Sequence, residues 1–223
     1  MLFSMWRIES QLGDAGASYD RRAAAYDRLV RSGLYNRLAW STSADDYTEF
    51  AAGALDSATG PLLEVGAGTA AATASLHASS GRPTVLVDLS RAMLERAGQN
   101  IAAAAGAGDD SDLAGRIRLV QADLLALPLP TRGFTTILGL GLTHLFEDLP
   151  ELVRSLRAHL APDGHLYLAG LVTGTARGRR YLQILHRAGE AAAPMSAAEL
   201  SDSLDGLTGF RTKGCMAYAT MSA

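Results

Sequence analysis

The sequence predicts one α/β domain built on a mainly parallel sheet. Three observations carry that prediction. Short apolar runs alternate with helical stretches from Pro61 to Leu171, the pattern of strands joined by right-handed crossovers. The first run, Leu62-Leu63-Glu64-Val65, ends in a glycine turn, Gly66-Ala67-Gly68, which lets the backbone approach a ligand where a side chain would block it. The chain has 223 residues and 48% hydrophobic content, enough for one substantial core.

Taken in order, residues 17–57 read as helices. Tyr19, Tyr26, Leu29, Leu34, Tyr35, Leu38, Trp40, Tyr47 and Phe50 carry their apolar and aromatic faces. Such a segment is a cap packed on the sheet, a lid over a ligand site, or both. A strand at 61–65 leads through the glycine turn into a helix at 69–79. The Ala70-Ala71-Ala72 run lets that helix lie close to the sheet. A strand at 83–87 is followed by a helix at 91–104, with Ser90 as its N-cap. Residues 106–115 read as a polar loop. Strands follow at 116–120 and 134–139, separated by the turn-rich Leu127-Pro128-Leu129-Pro130. A helix at 148–160 stops at Ala161-Pro162-Asp163-Gly164, and a strand at 165–170 comes next. Helices at 177–191 and 196–204 and strands near 209–213 and 215–221 close the chain. The count is seven strands, with helices for both faces and a helical N-terminal cap.

Composition excludes several classes. Cys215 is the single cysteine, so neither a disulfide framework nor a cysteine-rich metal site is expected. A net charge of −3 gives no footprint for nucleic acid. No stretch is long enough to cross a membrane, and Met1–Glu9 has no signal-peptide pattern, so a cytoplasmic protein is expected. Lys213 is the only lysine, which removes the Tyr-x-x-x-Lys pair of short-chain dehydrogenases.

Gly66-x-Gly68-x-x-Ala71 alone also fits a dinucleotide fingerprint. The acids around it narrow the reading. Glu64 precedes the first glycine by two residues, where a carboxylate aimed into the crevice suits a ligand with a cationic part. Asp88 ends the second strand, twenty residues after Gly68, and is placed to accept from both ribose hydroxyls; its bland reading is a helix N-cap. Asp123 follows the third strand and is placed to accept from an exocyclic adenine amine, or simply forms a turn.

These segments resemble the successive motifs of class I S-adenosylmethionine (SAM)-dependent methyltransferases. The likeness rests on Leu62–Ala70, Val85-Leu86-Val87-Asp88-Leu89-Ser90-x-x-Met93-Leu94, Gln121-Ala122-Asp123 and Leu160-Ala161-Pro162-Asp163-Gly164-His165-Leu166. It covers roughly residues 19–221 and is nearest the menaquinone- and ubiquinone-type small-molecule branch. The resemblance implies a Rossmann-like seven-stranded sheet with an antiparallel last strand. It divides the single domain into a helical cap (1–57), a SAM-binding core (58–171) and substrate-side helices with the closing strands (172–223). It further implies that Gly66 and Gly68 cradle the methionine moiety, that Asp88 binds ribose and that Asp123 binds adenine. Leu89, Met93 and Leu124 would sandwich the adenine ring. Tyr26, Ala67, Ala122 and Gly139 complete the expected cofactor set, and S-adenosylhomocysteine is the expected product. Ala70 replaces the third glycine of the family motif, which narrows the approach to the ligand.

Methyl transfer from a sulfonium is an in-line displacement that depends chiefly on positioning and exclusion of water. A base is needed only if the acceptor loses a proton during attack. The candidate is His144, just past the fourth strand; its alternative role is packing at a strand–helix junction. Tyr19, Tyr35, Trp40 and His186 are the expected contacts of a small-molecule acceptor, with His186 also readable as a solvated helix residue. Three rival functions stand beside methyl transfer: a SAM-binding enzyme of other chemistry such as rearrangement or cyclisation, a non-catalytic binding subunit, and a nicotinamide-dependent oxidoreductase. Glu64, Asp123 and the single lysine argue against the last.

Overall fold

The protein is described here by a computed structural model, which places residues 7–10, 44–106 and 110–223. Tyr19, Tyr26, Tyr35 and Trp40 lie outside those residues, as do the helices expected before residue 44.

Eight strands form one sheet in the order β1-β4-β3-β2-β5-β6-β8-β7. The elements run β1 (Ile8–Ser10), α1 (Ala44–Asp56), β2 (Leu62–Val65), α2 (Ala74–Ser79), β3 (Thr84–Asp88), α3 (Arg91–Ala105), α4 (Asp110–Arg116), β4 (Ile117–Gln121) and β5 (Phe134–Gly139). A single 3-10 turn (Thr143–Leu145) follows, then α5 (Leu149–His159), β6 (Leu160–Leu171), α6 (Ala176–Arg187), α7 (Ala197–Asp202), β7 (Leu207–Lys213) and β8 (Met216–Ser222). Strands β1 to β6 pair in parallel. β8 runs antiparallel between β6 and β7.

The mostly parallel sheet with helices matches the expected class, with four differences. β6 begins at Leu160 and takes in residues 161–164, expected as a helix stop and turn before a strand at 165–170. The sheet has an eighth strand: Ile8–Ser10 pairs with Leu119–Gln121 at the edge beside β4, and Arg118 reaches Glu9 at 2.7 Å. Residues 110–115, expected within a polar loop, and Arg116, expected to open a strand, form α4, in which Arg116 pairs with Asp112 one turn back. The helix after the glycine turn begins at Ala74 rather than residue 69.

The strand sequences explain the layers. In β2, Leu63 and Val65 face one side and join Val85, Val87, Ile137, Leu166 and Leu168 in a core closed by α5 and α7. Leu62 faces the other side and packs with Leu138 beneath Ala51, Ala54 and Leu55 of α1. Farther along that side, Leu86 and Leu119 meet Leu94, Ala97 and Ile101 of α3. Caps set the helix starts. Ser90 accepts from the Met93 amide, Asp148 from that of Glu151, and Ser196 with Glu199 forms a reciprocal capping box.

Two polar devices hold α1. At its end, Arg82 is 5% exposed and donates to the carbonyls of Gly60 (2.8 Å) and Leu55 (2.7 Å) and to the hydroxyls of Thr135 (3.1 Å) and Thr136 (2.9 Å). At its start, Asp46 pairs with Lys213 at the end of β7, and Tyr47 donates to the Met216 sulfur. Phe50 and Tyr47 pack on Tyr218, with ring centroids 5.0 and 6.0 Å apart. The Arg211 guanidinium lies 4.4 Å from the Tyr218 ring, and burial pushes the Tyr218 hydroxyl up to about 12.

Replacing Arg82 by Met should destabilise the protein by about 2–4 kcal/mol, because four acceptors lose one shared donor group. Chemical denaturation measures this; a change below about 0.5 kcal/mol, ordinary for an unimportant surface site, would contradict the assigned role.

Candidate functional site

The chain passes from β2 to β3 and β4 on one side, then returns to β5 and β6 on the other. The carboxyl ends of β2 and β5 therefore flank a topological switch point, where open α/β sheets bind ligands. The segment leaving β2 there, Gly66–Thr73, makes an irregular turn before α2. Gly66, Gly68 and Ala70 all have positive φ (60°, 52° and 52°). For Ala70 that conformation costs about 1–2 kcal/mol, so its surroundings must impose it.

They do so at several points. The Ala67 amide donates to the Val87 carbonyl at 3.0 Å, and the Gly68 amide to Asp88 Oδ2 at 2.8 Å. Asn100 of α3 donates to the Thr69 carbonyl at 2.8 Å. The two glycines differ in their surroundings. A Cβ on Gly66 would come within 2.9 Å of Leu142, whereas one on Gly68 meets nothing within 4 Å. Gly68 thus presents bare backbone to open space, the cradle that a side chain would fill.

Asp88, at the end of β3, also accepts from the Ser90 amide at 2.8 Å through Oδ1. A carboxylate has about four acceptor positions, so holding the loop and accepting ligand hydroxyls are compatible tasks. β3 and β4 are tied at this edge: Gln121 donates to the Leu89 carbonyl and the Ala122 amide to the Asp88 carbonyl. Asp123 is exposed just beyond, with Oδ1 accepting from the Leu125 amide at 2.9 Å. Gly68, Asp88 and Asp123 therefore follow three adjacent strands, β2, β3 and β4. Leu89 and Met93 are half-buried beside them; Ala122 and Leu124 belong to the buried core beneath.

Three expected residues take other places. The Glu64 carboxylate does not open into the crevice. It is 2% exposed, accepts from the Thr73 hydroxyl at 3.1 Å and meets His77 Nε2. Gly139 is a packing glycine, since a Cβ there would strike Leu142 and Leu168 at 2.8 and 2.9 Å. His186 is exposed in the last turn of α6, with Nδ1 against the Ala191 carbonyl. Sequence reading missed Asn100 and His77; neither forms a local pattern with its partner, and each acts across the fold.

His144 sits in the 3-10 turn after β5. It lines a small cavity with Phe146, Leu149, Leu171, Leu182 and Met195. The cavity volume is about 10 Å³, near that of one water. Nδ1 accepts from the Leu171 amide at 3.3 Å, so Nε2 carries the proton of the neutral ring. Burial pushes the His144 pKa down to about 4. A ring protonated at Nε2, with its other nitrogen occupied, is poorly arranged to accept a proton near neutrality, which weighs against the general-base expectation. Among the described residues, no group of three or more His, Cys, Asp or Glu is arranged to hold a metal, and no helix is long and apolar enough to cross a membrane.

Residues 62–164 match the methyltransferase domain family model. No curated protein sequence matches the chain. Among solved structures, geranyl diphosphate C-methyltransferase from Streptomyces coelicolor, in complex with Mg2+, geranyl-S-thiolodiphosphate and S-adenosyl-L-homocysteine, superposes with a TM-score of 0.63 at 14% identity, over 80% of this chain and 75% of that one. An S-adenosylmethionine-dependent methyltransferase assigned as such only provisionally, from Methanococcus maripaludis, gives 0.60 at 20% identity, over 91% and 92%. The cyclase SpnF gives 0.65 at 16% identity, over 92% and 78%. Residues 62–164 thus match a methyltransferase domain, and the chain shares the fold of these solved structures.

Proposed function

We propose that this protein binds SAM and transfers its methyl group to an oxygen, nitrogen or carbon of a small molecule. The observation that carries the proposal is the open backbone at Gly68 beside Asp88, with Asp123 on the next strand end. These groups fit the cofactor's chemistry. The Gly66–Gly68 backbone is shaped for the methionine portion, Asp88 for hydroxyls of the ribose, and exposed Asp123 for an exocyclic amine. Leu89 and Met93 supply apolar flanks. When bound, SAM supplies a methyl group already activated by a sulfonium.

The chain's own part is then to hold the acceptor in line and exclude water. His144 serves that task as a hydrogen-bond donor through Nε2, orienting an acceptor atom at the mouth of its apolar pocket. A second reading, SAM-dependent chemistry without methyl transfer, draws support from two facts. His144 is not poised as a base, and SpnF, with a similar fold, is a cyclase.

Calorimetry on the purified protein should show binding of SAM and S-adenosylhomocysteine and no comparable binding of NADH; the reverse preference defeats the reading. Asp88→Asn, which keeps one carbonyl acceptor, should weaken S-adenosylhomocysteine by about 5- to 150-fold, or about 1–3 kcal/mol. An unchanged dissociation constant would reduce Asp88 to a loop and cap residue.

His144 yields two further expectations. Its pKa is about 4 in the fold and about 6.5 in an unfolded chain. Between those values the unfolded state binds more protons, so this contribution to stability is whole above pH 6.5 and lost as pH falls toward 4. Denaturation midpoints measured from pH 7 to pH 4 should therefore fall less steeply for His144→Gln than for the wild type; parallel curves would show that burial does not shift the group. Once an acceptor is identified, His144→Gln should lower turnover by less than about tenfold and leave the pH–rate profile unchanged, against the roughly 10²–10⁴-fold loss expected on removing a general base. A loss of that larger size, with a flattened profile, would restore the base role.

A further inference from the structure

We propose that Glu64 and His77 are positioning residues: their buried contact sets the shape of the Gly66–Thr73 loop, and Glu64 does not touch the ligand. This rests on the reading that the loop carries SAM. Glu64 pairs in register with Leu86 and Leu138, on the sheet side that carries Leu62, so it faces α2 under the loop. Both carboxylate oxygens are engaged there, Oε1 by the Thr73 hydroxyl and Oε2 by His77 Nε2. His77 is fully buried and Thr73 is 1% exposed. Thr73 and His77 are four residues apart, so both present to the same carboxylate from one helix face.

The allocation of hydrogen bonds is informative. Thr73 stands at the N-cap of α2, yet its side chain makes no capping bond; it donates to Glu64 instead. α2 has six residues, too few to hold its own conformation. Its far end is held separately, by Arg116 donating to the carbonyls of His77 and Ala78 at 2.8 Å each. Glu64 therefore fixes the start of α2 against the sheet, and with it the exit of the loop. The loop's entry is fixed by Val87 and Asp88. Between these two attachments lies Ala70, in a conformation that alanine adopts only under constraint. A buried carboxylate left without its partner would be strongly unfavourable, so His77 is needed where it is.

The test uses the whole chain and the variants Glu64→Gln, Thr73→Val, His77→Leu and His77→Gln, with two readouts. The first is amide hydrogen exchange of residues 66–73 in the ligand-free protein. The second is affinity for S-adenosylhomocysteine and for 5′-methylthioadenosine, which lacks the amino-acid tail. Thr73→Val and His77→Leu should speed exchange in 66–73 by about tenfold or more and weaken S-adenosylhomocysteine by about tenfold. His77→Gln, which restores a donor, should recover most of both. Glu64→Gln should change the ratio of the two affinities by the same factor as Thr73→Val does, within about twofold. The proposal is overturned if Glu64→Gln weakens S-adenosylhomocysteine relative to 5′-methylthioadenosine by about tenfold more than Thr73→Val does, which marks a direct contact with its tail. Unaltered exchange in both Thr73→Val and His77→Leu overturns it too. Should His77→Leu fail to fold, Thr73→Val and Glu64→Gln decide the matter. A wild type that binds neither ligand refutes the SAM reading instead, while the exchange readout still judges the cluster.

Discussion

The turn after β2 is the constraint on which the site depends. Three of its residues, Gly66, Gly68 and Ala70, lie in the left-handed region, and nothing local to the segment favours that for alanine. The holding groups come from elsewhere: Val87 and Asp88 from β3, Asn100 from α3, Glu64 from β2 itself. Their placement follows from sheet register. Because Val65 pairs with Val87, the Ala67 amide falls on the Val87 carbonyl and the Gly68 amide on Asp88. A shift of one residue in that pairing would turn Val65 and Val87 out of their shared core. The hydrophobic pattern of two strands thereby decides where a carboxylate meets a glycine amide.

The two sides of the switch point are also tied to one another. α1 spans between them: its last turn is bound through Arg82 to the loop before β2 and to β5, while its first turn is bound through Asp46 and Tyr47 to β7 and β8. The single lysine and a buried arginine thus fix one helix at opposite ends. Arg82 lowers its own cost of burial by using nearly its whole donor fork on protein acceptors. Desolvation still lowers its pKa from the ordinary arginine value, the expected sign for a cation removed from water.

How much of this was legible in the sequence follows from the range of each interaction. β2 to β6 are buried apolar runs bounded by turn residues, and Ser90 and Asp148 stand where caps belong, so strands and helix starts could be read locally. The places of Asp88 and Asp123 were legible because each follows an apolar run that ends at the carboxyl edge of the sheet. β1 was not, since Ile8–Ser10 has one apolar residue and is held by pairing with β4. α4 hid within a run of Asp, Ser and Gly whose composition suits a loop. The late start of α2 follows from Ala70, whose left-handed backbone no composition rule assigns to alanine. Glu64 was recognised as special for its place before the glycines, but its partners lie nine and thirteen residues on, and only the fold turns them toward it. At Gly139 only the fold shows a packing demand, since a Cβ there would strike Leu142 and Leu168.

The state of His144 fits a site that works by positioning. A base must be able to take up a proton near the working pH; His144 is half-buried beside apolar side chains, and a backbone amide occupies Nδ1. The same arrangement is useful to a displacement at an activated methyl group. It holds the ring through Nδ1, and on the proposed reading the Nε2 proton would supply one directional contact without a change of charge. The bond between His144 and Leu171 joins the turn after β5 to the end of β6, and the His144 carbonyl accepts from Ala192 beyond α6. On the proposed reading, an acceptor seated there would meet three segments at once, while Asp88, Asn100 and Glu64 hold the loop after β2. Rigidity on both sides of the transfer path is what an in-line reaction requires when the activating charge comes with the methyl donor.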